Sequence, residues 1–201
     1  MTLWGGLALS YHIASRLAYV VGVGVALSRQ DREQVFTRRD GVEAGFRRFR
    51  RMASTVMNND GVSFVILCVV TRQTIHLPAM ILLPTGALLV LLGVSTKLWA
   101  AARLGSAAYY WHNFFAPGEL VVPDPPGPYR YFKNPMYTVG NLHMYGVALV
   151  LGSLPGLIAA AFDQAAIMAF YRWVEKPHFD ALSRRATPAT GAARAGGSAP
   201  V

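Results

Sequence analysis

The stretch AMILLPTGALLVLLGVSTKLWAAA, from Ala79 to Ala102, decides the fold. Lys97 is its one charged residue. A hydrocarbon core of about 30 Å is crossed by about 20 apolar residues in a helix, so a run of this length reads as a transmembrane span. It lacks the period-two alternation of a half-buried strand. Similar blocks flank it: Leu3 to Leu27 and Gly61 to Leu77 before it, Met136 to Leu151 and Leu154 to Val174 after it. Pro78 separates the second and third blocks, and Gly152-Ser153-Leu154-Pro155-Gly156 joins the last two, so each pair reads as a tight antiparallel hairpin. The expected fold is all-α, a polytopic integral membrane protein with about five transmembrane helices, arranged as one span and two helical hairpins.

Composition agrees with that reading. Of 201 residues, 53% are hydrophobic and only 14% are charged, against about 25% charged in a soluble domain. Mean hydropathy is +0.33. Global disorder is excluded, and the lone Cys68 excludes a disulfide framework or a cysteine metal site. No metal site is expected.

The 19 basic residues outnumber the 10 acidic ones, a net charge of +9 that asks for an anionic partner. All of the Lys and Arg except Arg16 and Arg72 fall in, or within a few residues of, segments 28–60, 103–135 and 175–201. By the positive-inside rule these segments are cytoplasmic, with the amino terminus outside and the carboxyl terminus inside. The Ala/Arg/Gly-rich chain suits a bacterial inner membrane. The expected organisation is a first transmembrane helix (1–28), a basic cytoplasmic amphipathic segment (29–60), a transmembrane hairpin (61–102), a cytoplasmic loop (103–135), a second hairpin with a closing segment (136–182) and a disordered tail (183–201).

Eight arginines lie between Arg29 and Arg51, interleaved with Phe36, Phe46 and Phe49. Val42, Phe46, Phe49 and Val56 share one helical side, which predicts an amphipathic helix lying on anionic lipid headgroups at residues 29–51. No nucleic-acid motif accompanies the charge, so a nucleic-acid partner is not expected. Asn58-Asn59-Asp60 predicts the start of the second span through side-chain caps. Inside the membrane, His12 and Arg16 share a face of the first span, and His143 and Asp163 lie at similar depth on two arms of one hairpin. A His143–Asp163 hydrogen bond is therefore predicted.

Three stretches could hold chemistry: Tyr109-Tyr110-Trp111-His112-Asn113-Phe114-Phe115, the Gly127–Gly140 run, and Tyr171-Arg172-Trp173-Val174-Glu175-Lys176-Pro177-His178-Phe179. Six of the twelve prolines lie between Pro117 and Pro135, and long stiffened loops in compact chains tend to be functional. Asn134-Pro135 also reads as the N-cap and first residue of the fourth helix.

Gly127-Pro128-Tyr129-Arg130-Tyr131, with Asn134-Pro135-Met136-Tyr137, Gly140 and the later Glu175, resembles the signature of the membrane methyltransferases. That superfamily comprises phospholipid N-methyltransferases and isoprenylcysteine carboxyl methyltransferases. The resemblance covers about residues 97–182, and the form of the motifs is similar to a bacterial phospholipid-methyltransferase-like branch. It implies S-adenosylmethionine as cofactor and a membrane lipid substrate, methylated at its amine in the cytoplasmic leaflet. The implied cofactor residues are Gly127, Tyr129, Arg130, Lys133, Asn134, Pro135, Tyr137, Gly140 and Glu175. Two positions depart from the family pattern: Asn134 stands where a His is usual, and Lys176 where a second Glu is. Arg130 and Lys133 are candidates for the cofactor carboxylate, Glu175 for its ammonium or ribose hydroxyls, and the tyrosines for its sulfonium. A lipid amine must lose a proton before attack, and His178, His112 and Glu175 are the candidate catalytic acceptors. Carboxyl methylation of an isoprenylcysteine-type acceptor, and a non-enzymatic helical assembly factor, are the alternatives. Oligomeric state is not legible.

Overall fold

The computed structural model describes residues 2–116, 127–132 and 134–186. Thr2 caps the first helix by accepting from the Gly5 amide at 3.1 Å. Helix α1 (Leu3–Leu17) runs through a wide π turn at Ala18–Gly22 into α2 (Val23–Glu33), giving one rod. Gln34 adopts a left-handed conformation and ends that rod. The Gln30 side chain closes the corner: its Oε1 accepts from the Phe36 amide at 2.9 Å, and its Nε2 donates to Thr37 Oγ1 at 3.0 Å. Short α3 (Val35–Asp40) then leads into α4 (Val42–Val70). Helices α5 (Ala79–Tyr109), α6 (Leu142–Val150), α7 (Leu154–Phe170) and α8 (Lys176–Ala186) follow, with a second π turn at Tyr171–Glu175 joining the last two.

Four of the rods are long and apolar enough to cross a membrane: Leu3–Glu33, Val42–Val70, Ala79–Phe114 and Leu154–Arg184. Their outward faces carry exposed Leu, Ile and Val side chains such as Leu88, Leu91, Ile81 and Val62, as expected where lipid replaces water. The chain is an integral membrane protein. The fourth predicted block yields a shorter rod. Asn134-Pro135 does not start a helix; the Asn134 carbonyl accepts from the amides of Tyr137 and Thr138, and the Pro135 carbonyl from Gly140. These turns consume the residues up to Asn141, so α6 begins at Leu142. Residues 183–186 of the expected tail belong to α8, which continues to Ala186; residues 187–201 lie outside the described residues.

The basic segment also differs from expectation. Asn58-Asn59-Asp60 sits in the middle of α4 and caps nothing, because the basic segment from Val42 onward and the second span form one continuous helix. Phe46, Phe49 and Val56 of its apolar side pack on protein, while Val42 is exposed. Phe46 and Phe49 are buried against Phe36, Trp111 and Phe115, with ring centroids 5.2–6.3 Å apart in pairs such as Phe49–Phe115 and Phe49–Trp111. Arg38, Arg39, Arg47 and Arg48 remain exposed on the other side.

Close backbone approach seats α6 on α5. A Cβ added at Gly146 would lie 2.6 Å from the Gly86 carbonyl oxygen, so only glycine permits this contact. The far hairpin turns are tied together as well, with the Gln73 amide donating to Leu151 O at 3.1 Å and Ile75 to Gly152 O at 2.9 Å.

A buried ionic cluster holds α1, α4 and α7. Arg16 Nε donates to Asp163 Oδ1 at 2.7 Å, and Arg16 Nη2 lies 2.9 Å from Asp60 Oδ2. His12 shares the face of Arg16: its Nε2 lies 3.2 Å from both Asp163 oxygens and its Nδ1 2.9 Å from Ser63 Oγ. The predicted His143–Asp163 bond is therefore absent. His143 Nδ1 instead donates to the Gly140 carbonyl at 2.6 Å, because the late start of α6 turns that residue toward α5 and away from α7.

Replacing Asp163 with Asn removes the carboxylate that Arg16 Nε and His12 share and leaves Arg16 paired with Asp60 alone among the described residues. Breaking one side of a buried pair costs about 3–5 kcal/mol, so Asp163→Asn should lower the apparent Tm in detergent substantially. An unchanged Tm would contradict this account of the cluster.

Candidate active site

Three segments converge at the end of the bundle that carries the basic residues. Helix α5 is broken near its end by Gly105, whose φ of 73° and ψ of 163° interrupt the helical path before Tyr109. Trp111 then takes a left-handed backbone conformation at φ 59°, a strained choice for a bulky residue. The π turn at Tyr171–Glu175 inserts an extra residue into the last rod, a distortion often found at functional sites, and it carries Glu175 inward.

Glu175 is the centre of the convergence. It is 5% exposed. Its Oε1 accepts from Trp111 Nε1 at 2.5 Å and from Tyr137 Oη at 2.5 Å. Among the described residues its Oε2 carries no hydrogen bond. The carboxylate thus joins the end of the third rod, the Asn134–Asn141 turns and the last rod, while one oxygen remains available.

A cavity of about 270 Å³ opens on this carboxylate, near the lower end of the usual range for ligand pockets of about 300–1,000 Å³. Tyr109, Trp111, Tyr129, Tyr137 and Tyr171 supply aromatic walls, and Asn113, Asn134 and Lys176 supply polar ones. Two buried amide atoms at this cavity, Asn113 Oδ1 and Asn134 Nδ2, have no hydrogen-bond partner among the described residues. Burial raises the Tyr137 phenol well above the ordinary tyrosine range, and the Glu175 charge adds to the effect. Tyr129 is raised by the same two causes in the same order. Both phenols therefore stay neutral donors at physiological pH.

The predicted residues separate into groups. Tyr129, Asn134, Tyr137 and Glu175 line the cavity together. Gly127, Pro135 and Gly140 shape its frame. Gly127 adopts φ +109° against the Trp99 ring, and Pro135 and Gly140 form the turn behind Tyr137. Arg130 is exposed and does not line the cavity. Lys133 lies outside the described residues. His112 packs its ring edge on Phe46 at 4.6 Å, away from the cavity lining. His178 is also outside the lining; it stacks on Phe114 at 3.6 Å and its Nδ1 lies 2.8 Å from Asp31 Oδ1, which ties α8 to α2. Trp111 was not among the expected site residues. Its signal was an indole donor within a run of aromatics, of the kind that needs a partner once buried.

A profile of the phospholipid methyltransferase family matches residues 81–183. The chain belongs to the phospholipid methyltransferase family. Curated relatives include a phosphatidylethanolamine N-methyltransferase of Chaetomium globosum, 29% identical over 184 residues, covering 85% of this chain and 19% of the relative. One from Botryotinia fuckeliana is 30% identical over 185 residues, covering 85% of this chain and 18% of the relative. One from Meyerozyma guilliermondii is 35% identical over 100 residues, covering 48% and 11%. The chain thus spans less than a fifth of the length of these fungal relatives. No solved structure matches. The family match takes in α5, the turns that bring Tyr137 to Glu175, and the last rod, so it encloses the whole cavity.

Because the folded state raises the Tyr137 phenol, its contribution to stability is complete below the unfolded value of about 10 and is lost as pH climbs above it. The Tm gap between wild type and Tyr137→Phe should stay constant from pH 7 to 9 and shrink above about pH 10. A gap that closes before pH 9 would contradict the buried donor.

Proposed function

We propose that this chain is an S-adenosylmethionine-dependent N-methyltransferase of a phosphatidylethanolamine-type lipid, working at the cytoplasmic leaflet. One observation carries the reading: in a member of this family, a buried carboxylate with one oxygen to spare sits among aromatic faces at the basic end of the bundle. The residues fit the cofactor. Its ammonium or ribose hydroxyls need an acceptor, which Glu175 Oε2 offers, and its adenine amine, ring nitrogens and hydroxyls suit the orphaned Asn113 and Asn134 atoms. When bound, the cofactor supplies an electrophilic methyl on a sulfonium.

The protein's part is to hold and to dry. Trp111 and Tyr137 fix the Glu175 carboxylate so that it need not reorganise on binding. The rings of Tyr109, Tyr129 and Tyr137 present π faces, which favour a cation and exclude water. Orientation of two reactants is a large share of what such a transfer needs. Arg130 and Lys133 remain candidates for the cofactor's carboxylate from the loop side. His178 and His112 are candidate proton acceptors only if binding rearranges the rim. The exposed arginines of 29–51 would meet anionic headgroups, with the amino terminus outside and the carboxyl terminus cytoplasmic, and the composition favours a bacterial inner membrane.

Membranes containing the protein, incubated with methyl-labelled S-adenosylmethionine, should yield a labelled phosphatidylethanolamine carrying one added methyl, read by mass spectrometry. Label on a prenylated carboxyl instead of a lipid amine, or on no lipid at all, would overturn the proposal.

A further inference from the structure

Two more cavities lie beside the Glu175 cavity, and the mechanism above uses neither. The first, of about 200 Å³, adjoins it at Tyr109, Trp111, Met136 and Tyr137, residues that line both spaces. Its other side is polar at membrane depth, where ionisable groups are costly unless they serve a purpose. Asp60, Lys97, Asn141 and His143 line it, together with Arg16. The second, of about 450 Å³, is almost wholly apolar, lined by Val94, Leu98 and Ala101 of α5. It shares Lys97, Tyr109, Tyr110 and His143 with the polar cavity, so the two adjoin.

The polar cavity holds unspent hydrogen-bonding capacity of both signs. Asp60 is 4% exposed; its Oδ2 is paired with Arg16, while its Oδ1 has no partner among the described residues. Asn141 is 6% exposed and its Nδ2 has none either. Lys97 makes no ion pair within 4 Å among the described residues. His143 must donate through Nδ1, since the Gly140 carbonyl only accepts, which leaves Nε2 of the neutral ring as an acceptor. Buried groups of this kind are normally satisfied, and their clustering asks for a ligand. Donors (Lys97 Nζ, Asn141 Nδ2) and acceptors (Asp60 Oδ1, His143 Nε2) in one small space match a headgroup that is anionic at one end and cationic at the other.

We propose that this polar cavity is the headgroup site for a zwitterionic glycerophospholipid, with its phosphodiester on Lys97 and Asn141 and its amine N–H groups on Asp60 and His143. Its acyl chains lie along the apolar cavity on α5, which opens the site sideways to the membrane. The amine then lies beside Tyr109, Trp111 and Tyr137, the residues that line the Glu175 cavity as well. This names the lipid site of the activity proposed above and rests on that reading for its purpose.

The test uses the full chain in lipid vesicles and a phosphatidylethanolamine with a diazirine on its acyl chain, cross-linked without cofactor and mapped by mass spectrometry. Adducts should fall on α5 around Leu98 and Ala101, and unlabelled phosphatidylethanolamine should suppress them better than phosphatidylglycerol, which lacks the amine. In turnover assays Lys97→Gln should raise the lipid KM roughly tenfold or more, the expected loss of one charge-assisted hydrogen bond. Lys97→Arg should restore most of it, and S-adenosylmethionine affinity should stay within about twofold. Ala101→Trp, which fills the apolar cavity without touching a charge, should raise the lipid KM alone. Adducts elsewhere, equal competition by the two lipids, or lipid KM unchanged in both Lys97→Gln and Ala101→Trp would overturn the site. Because cross-linking needs no cofactor, a failed methyl transfer with correctly placed adducts would count against the activity and in favour of the lipid site.

Discussion

A single buried carboxylate holds the functional end of this molecule together. Glu175 receives two hydrogen bonds on one oxygen, from Trp111 on the end of the third rod and from Tyr137 in the turns before α6. Hydrogen bonds to a charged group in a low-dielectric setting are worth more than neutral ones, and leaving such a group unpaired costs more still. The local distortions serve this contact. The break at Gly105, the left-handed backbone of Trp111 and the π turn before α8 each redirect a chain segment that would otherwise run past. Tyr137 owes its place to the Asn134-Pro135 turns, which shorten α6.

Deeper in the bundle, a second polar cluster performs a different task with similar means. Arg16, Asp60, Asp163 and His12 bind α1, α4 and α7 where hydrophobic attraction between helices is weak, since lipid tails are as apolar as the side chains. Asp60 also lines the cavity beside Tyr137, and its second oxygen has no partner among the described residues, so one residue serves both the scaffold and that space. Stability and site are therefore coupled through Asp60.

Much of this architecture was legible because a membrane imposes length and polarity on each span. Ala79–Ala102 and Leu154–Val174 declare themselves by hydropathy alone, and Glu175, Tyr129 and Tyr137 by their motif. What failed to read was azimuth and partnership. His143 and Asp163 do lie on two arms of one hairpin, but depth says nothing of which way a side chain points, and Asp163 faces α1. Phe46 and Phe49 looked lipid-facing because their partners, Phe36, Trp111 and Phe115, come from short segments with no helical pattern to reveal the contact. Asp60 read as a cap and Lys97 as one more basic residue near a cytoplasmic segment, although an ionisable residue inside a membrane helix is itself a pointer to a site. Trp111 was visible only as one aromatic among many.

The central claim is that the Glu175 carboxylate, fixed by Trp111 and Tyr137, grips the methyl donor. Calorimetric titration of S-adenosylhomocysteine into the purified protein tests it most directly. The account predicts saturable binding with one molecule per chain, weakened roughly 10- to 100-fold in Glu175→Gln, the loss of one charged hydrogen bond at a buried site. Equal affinity in the two proteins, with the variant folded, would contradict it.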